Sequence, residues 1–159
     1  MIADLELELT EAHGSIRREW ILGFNVSTLG ERFRIQTGLL ENGPLSWAVS
    51  GQLIACSDKN VLSIEPEMGR VSTLPFQADD CCCHPINDIC AFASRVEYRS
   101  NENPALSNVF IVRLTDFVTV TEQLLPGYVG DMCWSVDGKK LYVVTSEGDL
   151  WTCSFPEIP

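Results

Sequence analysis

The chain repeats itself. Residues 45–66 read LSWAVSGQLIACSDKNVLSIEP, and residues 132–156 read MCWSVDGKKLYVVTSEGDLWTCSFP. With one residue deleted, Trp47, Val49, Gly51, Leu53 and Pro66 fall on Trp134, Val136, Gly138, Leu141 and Pro156. Each copy runs strand, tight turn, strand, tight turn, strand. The two tryptophans stand 87 residues apart, close to two units of the roughly 40–45 residues in which some repeat folds build one four-stranded sheet. A third copy is therefore due midway. CCCHPINDICAFAS supplies it: Cys83, His84 and Pro85 take the places of Trp134, Ser135 and Val136, IND replaces the turn VDG, and CAFAS replaces the strand LYVVTS. This middle copy carries an insertion, RVEYRSNENPALS at 95–107, between its second and third strands, which lengthens the downstream interval.

The rest of the sequence is written in the same short units. LELEL places Leu5, Leu7 and Leu9 on one face of a strand and Glu6 and Glu8 on the other, the period of two expected when one face is buried. WILGFNV, RFRIQTG, RVSTL, NVFIVRL and FVTVTEQL are further runs rich in β-branched and aromatic residues. Turn residues punctuate them at NGP 42–44, SGQ 50–52, DKN 58–60, EMG 67–69, DGKK 137–140 and SEGD 146–149. No segment carries an apolar stripe of helical period with caps at both ends. About fourteen strands at this spacing predict an all-β chain.

CWSVDGKKLYVVTSEGDLWTCSF resembles a blade of the WD-repeat or TolB-like β-propellers: an apolar strand, an S-x-D-G-x-x-L turn, a strand, an x-G-x-L-W turn and a strand. The match is good over 130–156, fair over 43–75 and weak over 79–125. The GH pair and the closing Trp-Asp of WD repeats are missing. The resemblance implies an incomplete β-propeller of about three to four four-stranded antiparallel blades, read as one domain over 1–159. Its blade-like units are 43–78, 79–129 and 130–159, and N-terminal strands within 4–42 complete the arrangement. Propellers close with four to eight blades, so three and a half leave an apolar face and sheet edges bare. A second copy, a partner protein or strained self-closure would cover them, and an assembly of two chains is the expectation. LELEL is the natural fourth strand for the last unit, which has only three of its own.

Charge narrows the partners. Eleven Lys and Arg stand against 22 Asp and Glu, a net charge of −11. Nucleic acid and anionic membranes call for a basic surface, so neither is expected as a partner, whereas a basic protein is. No apolar run approaches the roughly 20 residues of a membrane helix. The acidic start MIADLELELTEAHG lacks the layout of an export signal. The expected compartment is the cytoplasm, with the seven cysteines reduced.

The run Cys81-Cys82-Cys83-His84 invites a metal or a catalytic thiol. Zinc needs four converging ligands, commonly from C-x₂₋₄-C knuckles. On a strand, Cys81 and Cys83 share one face while Cys82 and His84 share the other, so neither face offers four. A Cys-His nucleophile needs a base and an orienting group, and the one other histidine, His13, is remote in sequence. The run reads as small buried apolar side chains on an inner strand, with His84-Pro85 as the turn that ends it. No metal and no cofactor are expected. There is no G-x-S-x-G elbow, no Walker loop and no G-x-G-x-x-G. The candidate binding residues are Arg95, Tyr98, Arg99 and Asn101 in the insertion, and the acidic strand edge of Asp4, Glu6, Glu8 and Glu11. The expected function is a non-enzymatic protein-interaction module. One alternative is an inhibitor or immunity-type protein that neutralises a basic toxin or nuclease by charge complementarity. Another is a hydrolase or lyase with its site in the central channel.

Overall fold

A computed structural model describes residues 43–56, 60–96 and 105–154, and the backbone of 2–8, 18–24, 31–36 and 57. Fourteen strands run through these residues, and each pairs antiparallel with its neighbour in sequence within one of four sheets. Sheet I is β1 (Ile2–Glu8), β2 (Arg18–Phe24) and β3 (Glu31–Gln36). Sheet II is β4 (Leu45–Trp47), β5 (Leu53–Ser57), β6 (Asn60–Glu65) and β7 (Arg70–Thr73). Sheet III is β8 (Asp80–Cys83), β9 (Ile89–Arg95), β10 (Leu106–Arg113) and β11 (Val118–Pro126). Sheet IV is β12 (Val129–Trp134), β13 (Lys140–Thr145) and β14 (Leu150–Ser154).

The repeat becomes a register. Trp47 pairs with Leu53 across the first hairpin of sheet II, Trp134 with Leu141 in sheet IV, and Cys83 with Cys90 in sheet III. The expected equivalence of Cys83 with Trp134 therefore holds at the level of backbone pairing. Each turn closes with the same bond after the paired residue: Ala48 N–H to Gln52 O, His84 N–H to Ile89 O, and Ser135 N–H to Lys140 O. Gly51 and Gly138 take φ of 85° and 70° in these turns, a region that costs other residues steric strain. The expectation that LELEL completes the last sheet is corrected: β1 pairs with β2 inside sheet I, and β14 is the last strand of sheet IV.

Sheets II, III and IV pack face to face in that order. Ile54, Cys56 and Val61 of sheet II meet Cys81, Cys83, Cys90, Phe92, Phe110 and Val112 of sheet III. Phe92 anchors this layer, edge-on to Phe76 at 4.9 Å and stacked on Phe110 at 5.7 Å. The opposite face of sheet III, with Ile89, Ala91, Ala93, Val109 and Ile111, meets Met132, Leu141, Val143 and Cys153 of sheet IV. Sheet III is thus covered on both sides. Burial on both faces turns β9 into a continuous apolar run, ICAFA, in place of an alternating one.

Candidate functional site

Two groups of residues carry chemistry, and they adjoin on β8, where Asp80 runs into Cys81. The first surrounds the base of the insertion. β9 ends at Arg95, Val96 N–H donates to Leu106 O, and residues 97–104, between these two anchors, lie outside the described residues. Tyr98, Arg99 and Asn101 fall among them, and Glu11, near the N-terminus, is also outside the described residues. Arg95 is exposed and sits at the mouth of the insertion. Its backbone N–H donates to Asp79 Oδ2 at 2.8 Å, and its guanidinium lies 5.4 Å from the centroid of the Tyr128 ring, a cation–π distance. Tyr128 is held by a reciprocal pair with Ser146: its N–H donates to Ser146 Oγ, and Ser146 N–H donates to Tyr128 O. Arginine and tyrosine together form a planar, amphipathic surface of the kind enriched at protein interfaces. Tyr128 was not singled out from the sequence; the signal was an aromatic in the GYVG junction between two repeats.

Acidic groups stand beside this pair. Asp80 opens β8 and Asp131 is the third residue of β12, and each accepts from the N–H of the next residue, Cys81 and Met132, at 2.8 Å. Burial pushes the Asp80 carboxyl up to about 6, against that bond, with Cys81, Asp131 and Asp79 adding to the rise. The other acidic candidates, Asp4, Glu6 and Glu8, alternate along β1 opposite Leu22, Trp20 and Arg18, and β1 is an outer strand of sheet I.

The second group is the cysteine run. β8 lies between β4 and β12, the first strands of the neighbouring sheets. Cys81 and Cys83 face sheet II while Cys82 faces sheet IV, as strand alternation requires. Cys83 N–H donates to Ser46 Oγ at 2.7 Å, and Trp134 Nε1–H donates to Cys82 O at 3.0 Å. The run therefore ties both neighbouring sheets to sheet III. Four thiols, Cys56, Cys81, Cys83 and Cys90, meet in the layer between sheets II and III. Cys56 and Cys90 hydrogen-bond to Cys81, which draws the Cys81 thiol down. The same bonds help to hold theirs up, that of Cys56 chiefly through this contact and that of Cys90 chiefly through burial. Burial also pushes Cys82 up to about 11. Among the described residues, no group of three or more His, Cys, Asp and Glu side chains is arranged to hold a metal ion.

His84 is buried and fully used. Its Nδ1 accepts from Ile86 N–H at 3.0 Å and Asn87 N–H at 2.9 Å. The ring proton is then on Nε2, which donates to Gly138 O at 2.9 Å. The ring also meets Trp134 edge-on at 4.7 Å. His84 thus caps its own turn, as Ser135 Oγ does when it accepts from Lys140 N–H, and latches that turn to sheet IV. A base with both nitrogens bonded to backbone has no free edge for a substrate.

No family model and no curated protein matches the chain. Solved structures do. The β-propeller domain of Cps50 (Swd1) from Myceliophteria thermophila aligns over 90 % of this chain and 62 % of its own, with a TM-score of 0.52 and 12 % identity. Hsv2 from Kluyveromyces lactis, with its complete loop 6CD, aligns over 96 % of this chain and 48 % of its own, with a TM-score of 0.51 and 18 % identity. The shared property is the fold: this is an all-β chain of propeller-like antiparallel sheets. It spans between about half and three-fifths of the propeller chains it matches.

Proposed function

We propose that the chain is a non-enzymatic protein-binding module whose open end receives a further β-sheet from a second copy of itself. One observation carries the reading: the outer face of sheet IV. Its inner face is buried on sheet III, but Tyr142, Val144, Leu150 and Cys133 point the other way, with Val144 43 % and Leu150 66 % exposed. In a stack where each sheet covers the last, such a face is the surface on which another sheet sits. The second copy is favoured because the chain covers about half of a matched propeller, so two copies amount to one ring. A closed two-fold ring of this kind leaves no unmatched face.

The net charge of −11 favours a second reading, in which a basic protein, such as a toxin or nuclease held inactive, docks on the acidic surface and on Arg95 and Tyr128. Salt separates the two. Two chains of like charge repel, so association of copies tightens as salt rises, while binding of a basic partner weakens. Sedimentation velocity at low and high ionic strength tests this. A chain that stays monomeric at every salt and at micromolar concentration removes the self-association reading. A copurifying basic protein whose affinity ignores salt removes the other.

A further inference from the structure

We propose that Cys83 and Cys90 form an oxidisable pair that closes to a cross-strand disulfide, a redox-set staple at the seam between sheets II and III. Three features single out this pair among the four clustered thiols. The sulfurs are already 3.3 Å apart. The residues are direct cross-strand partners, and the bond from His84 N–H to Ile89 O on their flank makes theirs a non-hydrogen-bonded site. There the two Cα atoms stand about 4.5 Å apart, inside the range of about 4.4–6.8 Å that a disulfide spans. Finally, both residues belong to one hairpin, so closure moves two side chains. Bridging Cys56 of β5 to Cys81 of β8 would instead pull two sheets together.

Access sets the order of events. Cys83 is 9 % exposed and Cys90 is sealed, so the oxidant, a small hydroperoxide, meets Cys83 first. The Cys83 sulfur takes one oxygen to become a sulfenic acid, and one water leaves. The Cys90 sulfur then attacks the Cys83 sulfur, the S–O bond breaks, and the departing hydroxide takes the Cys90 proton as a second water. Two thiols and one hydroperoxide give one disulfide and two waters when the hydroperoxide is hydrogen peroxide. The equivalent pairs in the other copies are Trp47 with Leu53 and Trp134 with Leu141, which are apolar and fixed. The middle copy places two thiols at this position, which pack as small hydrophobes when reduced and lock when oxidised. Closure also withdraws the Cys83 sulfur from Ser46 O, 3.7 Å away, so it acts on the contact with sheet II as well as on its own hairpin.

The test uses the full chain with Cys133→Ser, which removes the exposed thiol that could bridge two molecules. The protein is treated with hydrogen peroxide, alkylated under denaturing conditions and cleaved before Asp88, which separates Cys83 from Cys90. The expected product is one linked pair of peptides joining these two residues, with two thiols lost per chain and both restored by dithiothreitol. In Cys90→Ser, Cys83 cannot close the bridge and carries a dimedone adduct of the sulfenic acid. An unchanged thiol count, or a bridge between any other pair of cysteines, overturns the proposal. The Cys133→Ser protein alone decides it, whatever the folding of the Cys90 variant.

Discussion

Sheets II and IV stand on either side of sheet III and present opposite outer faces. On sheet II, Leu53, Ala55 and Ile64 are fully closed to solvent. On sheet IV, the outer face leaves Val144 and Leu150 open; in the repeat register Val144 falls on Cys56, whose face of sheet II is covered by sheet III. The two sheets derive from the same sequence repeat, with the same first-hairpin register and the same turn bonds. What differs is therefore neighbourhood and not design. A blade-like sheet has two faces to cover, and the proposed association of two copies would cover the one left at the open end.

Mutations can sharpen this contrast. The largest effect is expected at the covered side. Phe92→Ala removes the ring that packs on Phe76 and Phe110, and should lower stability by about 3–5 kcal/mol in urea titration. A loss below about 1 kcal/mol would mean that the layer between sheets II and III is not a packed core. Next comes the latch. A Cβ at Gly138 would lie 2.2 Å from the His84 ring atoms at a φ of 70°. Gly138→Ala should therefore cost about 3 kcal/mol, well above the cost of Gly51→Ala, where nothing lies within 4 Å. Equal losses in the two variants would show that the latch contributes nothing.

A smaller effect belongs to Asp80. Its folded pKa, about 6, lies above the usual aspartate value near 4, so the folded state holds the proton more tightly than the unfolded one. The contribution of Asp80 to stability is full below about pH 4 and is lost as pH rises through about 6. Asp80→Asn should flatten that slope and stabilise the chain at neutral pH by about 1 kcal/mol, after allowance for partial exposure. A melting temperature in Asp80→Asn that follows pH as the unmodified chain does over this window would refute it. The smallest effect on folding is expected at the open face. Val144→Lys and Leu150→Lys should shift stability by less than about 0.5 kcal/mol while abolishing self-association in sedimentation. Variants that still assemble would place the interface elsewhere.

Much of this was legible in the sequence. The repeat register, the fourteen strands and the division of the cysteine run between two faces follow from alternation and turn residues, which are local. What lay hidden is long-range. His84 reaches Gly138, Ser46 reaches Cys83 and Trp134 reaches Cys82 through bonds between a side chain and a backbone, and alternation carries no trace of these. Period two also fails where both faces are buried: ICAFA in β9 shows no pattern that says which residues meet sheet II and which meet sheet IV. LELEL was misplaced for the opposite reason. Its alternation is clear, but alternation names a face and not a neighbour. At the insertion, Arg95 was identified from its loop, whereas its aromatic partner Tyr128 comes from the next junction.

The double coverage of sheet III has a kinetic consequence. In a stack held by nearest-neighbour layers, an outer sheet can detach by losing one interface, while the middle sheet must lose two. Opening should therefore begin at β14 and end at β9 and β10, so that backbone amides along ICAFA exchange with solvent only when the whole stack comes apart. The order in which the chain gives up its amide protons would then trace the layers from the open face inward.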